Sequence, residues 1–127
     1  MFRKIEAIIR EEVLENVREA LAAIGIVGMN VFEIRGRGRQ DTEEHSQYTY
    51  RHKDMLPKMQ LNVILSERNV EPTIAAIMKA ARTGREGDGI IFIYPVEDVV
   101  RVRTGERGST ALSYPDDIDA RRTHPGG

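Results

Sequence analysis

Two helix-length apolar stripes, each set between strand-like alternations, constrain this chain more than any other feature. In residues 11–24, Val13, Val17, Ala20, Leu21 and Ile24 recur at i, i+4, i+7, i+8 and i+11. That spacing makes one apolar face on a helix. Gly25 and Gly28 follow and end it. A second stripe, Val70, Ile74, Ile77, Met78 and Ala81, predicts a helix from a cap at Asn69 to about Arg82. Pro72 is tolerated there because it falls in the first turn. Period-two patterns predict strands at Phe2–Ile9, Met29–Arg35, Met59–Leu65 and Gly89–Tyr94, the last closed by Pro95, with a short fifth at Val99–Arg103.

The order is β-α-β-β-α-β with a small extra strand, the α+β ferredoxin-like arrangement. Both helices then cover one face of an antiparallel sheet. In Ile90-Ile91-Phe92-Ile93-Tyr94 both alternating sets are apolar. A sheet apolar on both faces needs two covers, so a second copy of the chain is the expected partner on the helix-free side.

Composition narrows the function. The 127 residues suit one domain. Nineteen basic residues against twenty acidic ones leave no basic excess for general nucleic-acid binding. With no cysteine there is no disulfide framework and no thiolate metal site. No apolar run approaches the ~20 residues of a membrane span, and the start lacks a signal-peptide pattern. A cytoplasmic protein that is not membrane-embedded is expected. The stretch from Gly38 to Pro57 is long and polar, which marks a functional or disordered loop. Residues 109–127 are rich in Asp, Arg, Pro and Gly and are expected to be a mobile tail.

The chemistry concentrates around Thr83-Gly84-Arg85-Glu86-Gly87-Asp88-Gly89. Three close glycines permit a loop whose amides can form a concave anion site. The plain alternative is a helix-to-strand turn with Gly84 as the helix C-cap. Arg101 and Arg103 at period two would share a face of the short fifth strand. Arginine's fork suits phosphate or carboxylate. Nest and arginines together point to a polyphosphate or nucleotide site.

These residues also carry a resemblance. Val17-Arg18-Glu19-Ala20-Leu21, Gly36-Arg37-Gly38-Arg39-Gln40, Leu56-Pro57-Lys58, Ala80-Ala81-Arg82-Thr83-Gly84 with Gly87-Asp88-Gly89, and Arg101-Val102-Arg103-Thr104-Gly105-Glu106 resemble, in order, the motifs of the PII nitrogen-regulatory signal-transduction family across residues 1–108. The resemblance implies a non-catalytic trimer that binds ATP or ADP, with AMP as a further candidate, in clefts between subunits. It implies 2-oxoglutarate read together with Mg2+ and ATP, and output to a partner protein, such as an ammonium or other transporter or a metabolic enzyme, through the long T-loop, here about 38–57.

Carried over residue by residue, Gly87, Asp88 and Gly89 would hold phosphates and ribose, and Arg101 and Arg103 would bind phosphates from the neighbouring subunit or cleft wall. Gly38, Arg39 and Gln40 would stand at the loop base, with Gln40 touching effector and Mg2+. Lys58 would pair with an effector carboxylate, and Gly87 would also contact the effector. Ile8, Gly36 and Ile64 would line the base pocket.

The chain departs from the family pattern in three places. Ile90 stands where the family carries a phosphate-reaching lysine. The loop lacks the Arg-Gly-Ala-Glu-Tyr segment and is one residue short, with Tyr48 and Tyr50 near the position of the modified tyrosine. A tail also extends past the usual end. A sensor of ADP, AMP or another small anion such as bicarbonate, regulating carbon uptake or another transporter, is the alternative within the family. A small phosphohydrolase is the rival from another class. A metal site at His45, His52 and Asp54 competes with the plainer reading of solvated loop side chains.

Overall fold

A computed structural model describes residues 1–36, 56–112 and 117–121. Four strands, β1 (Phe2–Ile9), β2 (Asn30–Gly36), β3 (Leu56–Ser66) and β4 (Gly89–Val96), form one sheet in the order β2-β3-β1-β4. Every neighbouring pair is antiparallel. Helices α1 (Leu14–Ala23) and α2 (Val70–Ala81) each follow a short 3-10 turn and pack on each other and on one sheet face. The fold is the α+β, ferredoxin-like one expected.

The sequence periods explain the layers. On β1, Ile5, Ala7 and Ile9 point to the helices and are buried; on β3 the same face carries Met59, Leu61, Val63 and Leu65. Val13, Val17 and Leu21 meet Val70, Ile77 and Ala81 across the helix layer. Met78, expected in the core, is 42 % exposed, while Thr73, unnoticed in the stripe, is fully buried. Its hydroxyl donates to the Asn69 carbonyl at 2.8 Å, which removes the cost of burying it. At the end of α1, Gly25 has φ 96°, and the Ile26 and Gly25 amides bond the Leu21 and Ala22 carbonyls. That is a Schellman closure, which favours glycine.

Four expectations need correction. The fifth strand shrinks to one bridge, Val100 to Arg107, because residues 101–105 turn back: the Gly105 amide bonds the Arg101 carbonyl at 2.8 Å. Arg101 and Arg103 therefore lie on a turn and not on a shared strand face. Pro95 does not close β4, which continues to Val96. β4 is an edge strand, where a missing amide is tolerated. Asn69 stands at the N-cap of α2 as expected, but its side chain makes no cap bond and its amide turns to Asp119.

The tail, where described, is docked. Short helices α3 (Ser109–Leu112) and α4 (Ile118–Arg121) bury Ala111, Asp117 and Asp119. The segment is poor in apolar residues, but it supplies polar partners to backbone groups otherwise left open, which its composition did not reveal. The long loop is also shorter at its far end than expected, since Leu56 and Pro57 belong to β3.

Candidate functional site

The loop from Thr83 to Gly89 is built around one carboxylate. Asp88 accepts from the Thr83 amide at 2.8 Å, from the Gly84 amide at 2.9 Å, and from the Thr83 hydroxyl. Arg10, itself buried at the end of β1, donates through Nε to Asp88 at 3.1 Å and through Nη2 to the Glu86 carbonyl at 2.6 Å. Burial alone would push the Asp88 carboxyl up. The hydrogen bonds from the Thr83 hydroxyl and amide, the Gly84 amide and Arg10 outweigh it and hold the group well below the usual carboxylate range. Arg10 was not legible as a site residue, because a basic residue just after a strand carries no pattern.

Gly89 is required by contact. Its φ is 121°, and a Cβ there would lie 1.9 Å from the Ile8 carbonyl oxygen. Gly84 and Gly87 also have positive φ, at 90° and 96°. The Lys58 ammonium donates to the Gly87 carbonyl at 2.7 Å. Gly36 lies opposite Leu56, and Ile8 stands opposite both Gln60 and Ile90. One end of the sheet thus gathers Ile8, Lys58, Gly87, Asp88, Gly89 and the exposed Ile90, with Gly36 farther out at the same end, opposite Leu56 and four residues along β3 from Gln60.

Ile64 lies elsewhere. It pairs with Lys4, four residues along β1 from Ile8, or about 13 Å at strand rise. There it joins Arg101 on a cavity of about 600 Å³. Arg101 donates through Nη2 to the Ala111 carbonyl at 2.7 Å and lies 3.8 Å from Glu106. Arg103 is exposed on the adjoining turn. The expected residues therefore fall into two groups at opposite ends of one sheet. Gly38, Arg39 and Gln40 lie outside the described residues, as do Tyr48, Tyr50, His45, His52 and Asp54. Among the described residues no group of His, Asp or Glu is set to hold a metal ion, and no helix is long and apolar enough to cross a membrane.

The helix-free face of the sheet is open and carries an apolar strip along β4 beside polar Glu6, Gln60 and Asn62. Ile90, Phe92 and Tyr94 on β4 are 54, 40 and 42 % exposed, and Phe32 and Ile64 share that side. Lys4 adds a cation over the Tyr94 ring at 5.2 Å.

Comparison with known proteins agrees with this arrangement. The family model "Nitrogen regulatory protein P-II" matches residues 2–106. The chain is 49 % identical over 112 residues to the nitrogen regulatory protein P-II of Azospirillum brasilense, covering 87 % of this chain and 99 % of that one. It is 46 % identical over 112 residues to the namesake of Pasteurella multocida, with the same coverage. Among solved structures, Arabidopsis thaliana PII bound to citrate superposes with a TM-score of 0.73 at 40 % identity, over 87 % of this chain and 91 % of that one. From glycine loop to ordered motifs, residues and likeness agree: the chain belongs to the nitrogen regulatory protein P-II family of signal-transduction proteins.

Proposed function

We propose that this protein is a homotrimeric, cytoplasmic nucleotide sensor that binds ATP or ADP, and AMP by the same contacts, in clefts between subunits. The observation that carries the reading is the split site. Gly87 to Gly89, Lys58, Ile8 and Gly36 stand at one end of the sheet, and Ile64 with Arg101 at the other. One subunit cannot close them around a ligand; two subunits packed through the open apolar face can. The donor set fits a phosphate chain: Arg101 and Arg103 bring guanidinium forks, and the Gly87 to Gly89 end of the loop brings backbone amides, those of Thr83 and Gly84 being bonded to Asp88.

Asp88 then serves the site by shaping the loop, since its oxygens accept from Thr83, Gly84 and Arg10. Lys58, drawn to the Gly87 carbonyl, is placed to receive a carboxylate effector such as 2-oxoglutarate. Citrate on the Arabidopsis relative supports a site for a small polycarboxylate. Gln40 is the proposed contact to effector and Mg2+, and Gly38 and Arg39 complete the loop base. Output passes through the residues between β2 and β3 to a regulated partner, a transporter or a metabolic enzyme of nitrogen metabolism.

The test is calorimetry with ATP and ADP on the wild type and on Arg103→Ala. A charge-assisted phosphate contact contributes roughly 1.5–3 kcal/mol, so the variant should bind about tenfold or more weakly. Unchanged affinity removes Arg103 from the site. Steady nucleotide turnover well above background would favour the phosphohydrolase instead.

A further inference from the structure

We propose that the C-terminal segment is a built-in competitor for the nucleotide: docked, its Ala111 carbonyl takes the Nη2 half of the bidentate edge of Arg101, so tail docking and nucleotide binding oppose each other. The inference rests on the reading of Arg101 as a phosphate ligand.

Arginine grips a phosphate best through two neighbouring N–H groups. On Arg101 that edge faces the chain's own acceptors. Nη2 donates to the Ala111 carbonyl of α3 at 2.7 Å, and Nε lies 3.8 Å from the Glu106 carboxylate. The cavity of about 600 Å³ beside it is lined by Ile64, Lys4 and Arg101 together with Leu112 and Asp117 of the tail. Asp117 is 8 % exposed and accepts from the Asp119 amide at 2.8 Å, which ties this lining residue to the docked segment.

The segment is anchored well enough to hold this arrangement. Asp119 is 4 % exposed; its carboxylate accepts from the Ser66 amide at 3.1 Å and from the Asn69 side chain. Arg68 donates to the Asp119 carbonyl at 3.0 Å. The Ile118 amide donates to the Gly25 carbonyl at 2.8 Å, and the Ile118 side chain packs on the core. The clasp grips the C-terminus of α1 and the turn before α2, neither of which belongs to the nucleotide site. The anchors lie beyond residue 106, where the family match ends. A nucleotide that takes the Arg101 fork must break the Ala111 contact and pull α3 against this clasp.

The two events are therefore linked, and linkage is reciprocal. The first test uses the unmodified full chain and hydrogen exchange with and without saturating ADP. The Ile118 and Ser66 amides, whose acceptors belong to the clasp, should lose protection by about tenfold or more when ADP binds. Unchanged or increased protection in an ADP-bound chain overturns the proposal and leaves the nucleotide reading standing. The second test is calorimetry on the full chain carrying Asp119→Ala, which removes the central acceptor. ADP should bind about fivefold or more tightly than to wild type, and equal or weaker binding by a folded variant overturns the proposal. Should that variant fail to fold, the exchange measurement decides alone. Failure of the unmodified chain to bind ADP at all overturns both this proposal and the nucleotide reading beneath it.

Discussion

Single residues divide here into those that shape the loop and those proposed to face a ligand. Asp88 shapes. Its folded-state pKa is depressed below the ordinary 3.8, so its contribution to stability is complete above that value and is lost as pH falls toward the folded-state pKa. Melting temperature followed from pH 7 down to about 2 should therefore drop more steeply below about pH 4 for wild type than for Asp88→Asn. At neutral pH the same substitution should cost about 1–3 kcal/mol, because the Thr83, Gly84 and Arg10 donors lose a charged acceptor. Parallel curves would mean that the loop does not depend on that charge. Ile90 faces outward beside Ile8, at the position where the resemblance implies a lysine. An ammonium there acts more on the charge of ATP than on that of ADP. Titration of Ile90→Lys with both nucleotides should show ATP affinity rising more than ADP affinity, by on the order of 1–2 kcal/mol. No change would show that Arg85 or Lys58 already fills the role.

At the level of elements, stability comes from the helix stripes seated on β1 and β3. Leu21 and Ile77 are buried at 0 and 1 % exposure in the layer where α1 meets α2. Leu21→Ala should cost about 2–5 kcal/mol, since the close-packed site refills only partly. Denaturant unfolding checks this; the midpoint should fall while nucleotide affinity per folded molecule holds, because Leu21 touches neither end of the split site. A loss below 1 kcal/mol would show a more yielding helix layer than the burial implies.

For the whole molecule the deciding feature is an apolar sheet face that the helices leave open. Burial of apolar surface stabilises by about 25 cal/mol per Å², so Phe32, Ile64, Ile90, Phe92 and Tyr94 together favour association strongly. Sedimentation of the wild type should give a particle of three times the 14.4 kDa chain mass. Phe92→Asp, which places a charge in the middle of β4, should shift that particle toward monomer and weaken nucleotide binding in step, because the two half-sites then no longer meet. A stable monomer of wild type at micromolar concentration would sink the assembly and the inter-subunit cleft together.

What the amino-acid order determined by itself is local and periodic. Val13, Val17 and Leu21 recur at the helical period, and Ile5, Ala7 and Ile9 alternate, so the four main strands, the two long helices, their order and most of their buried faces are written in spacing. The positions of Gly84, Gly87 and Gly89 likewise marked a loop of special backbone. Long-range contact was not legible, since it has no period. Nothing near Arg10 announces a partner at Asp88, seventy-eight positions away, and nothing near Asp119 announces the Ser66 amide. Those pairings exist because the sheet order β2-β3-β1-β4 sets the end of β1 beside the loop before β4, and because α4 reaches the turn before α2. Only the tertiary structure decided that the arginines sit on a turn, that the tail is docked, and that the expected site residues fall into two groups at opposite ends of the sheet. Each of these depends on which distant groups satisfy one another's charge and hydrogen bonds, and spacing along the chain does not encode that.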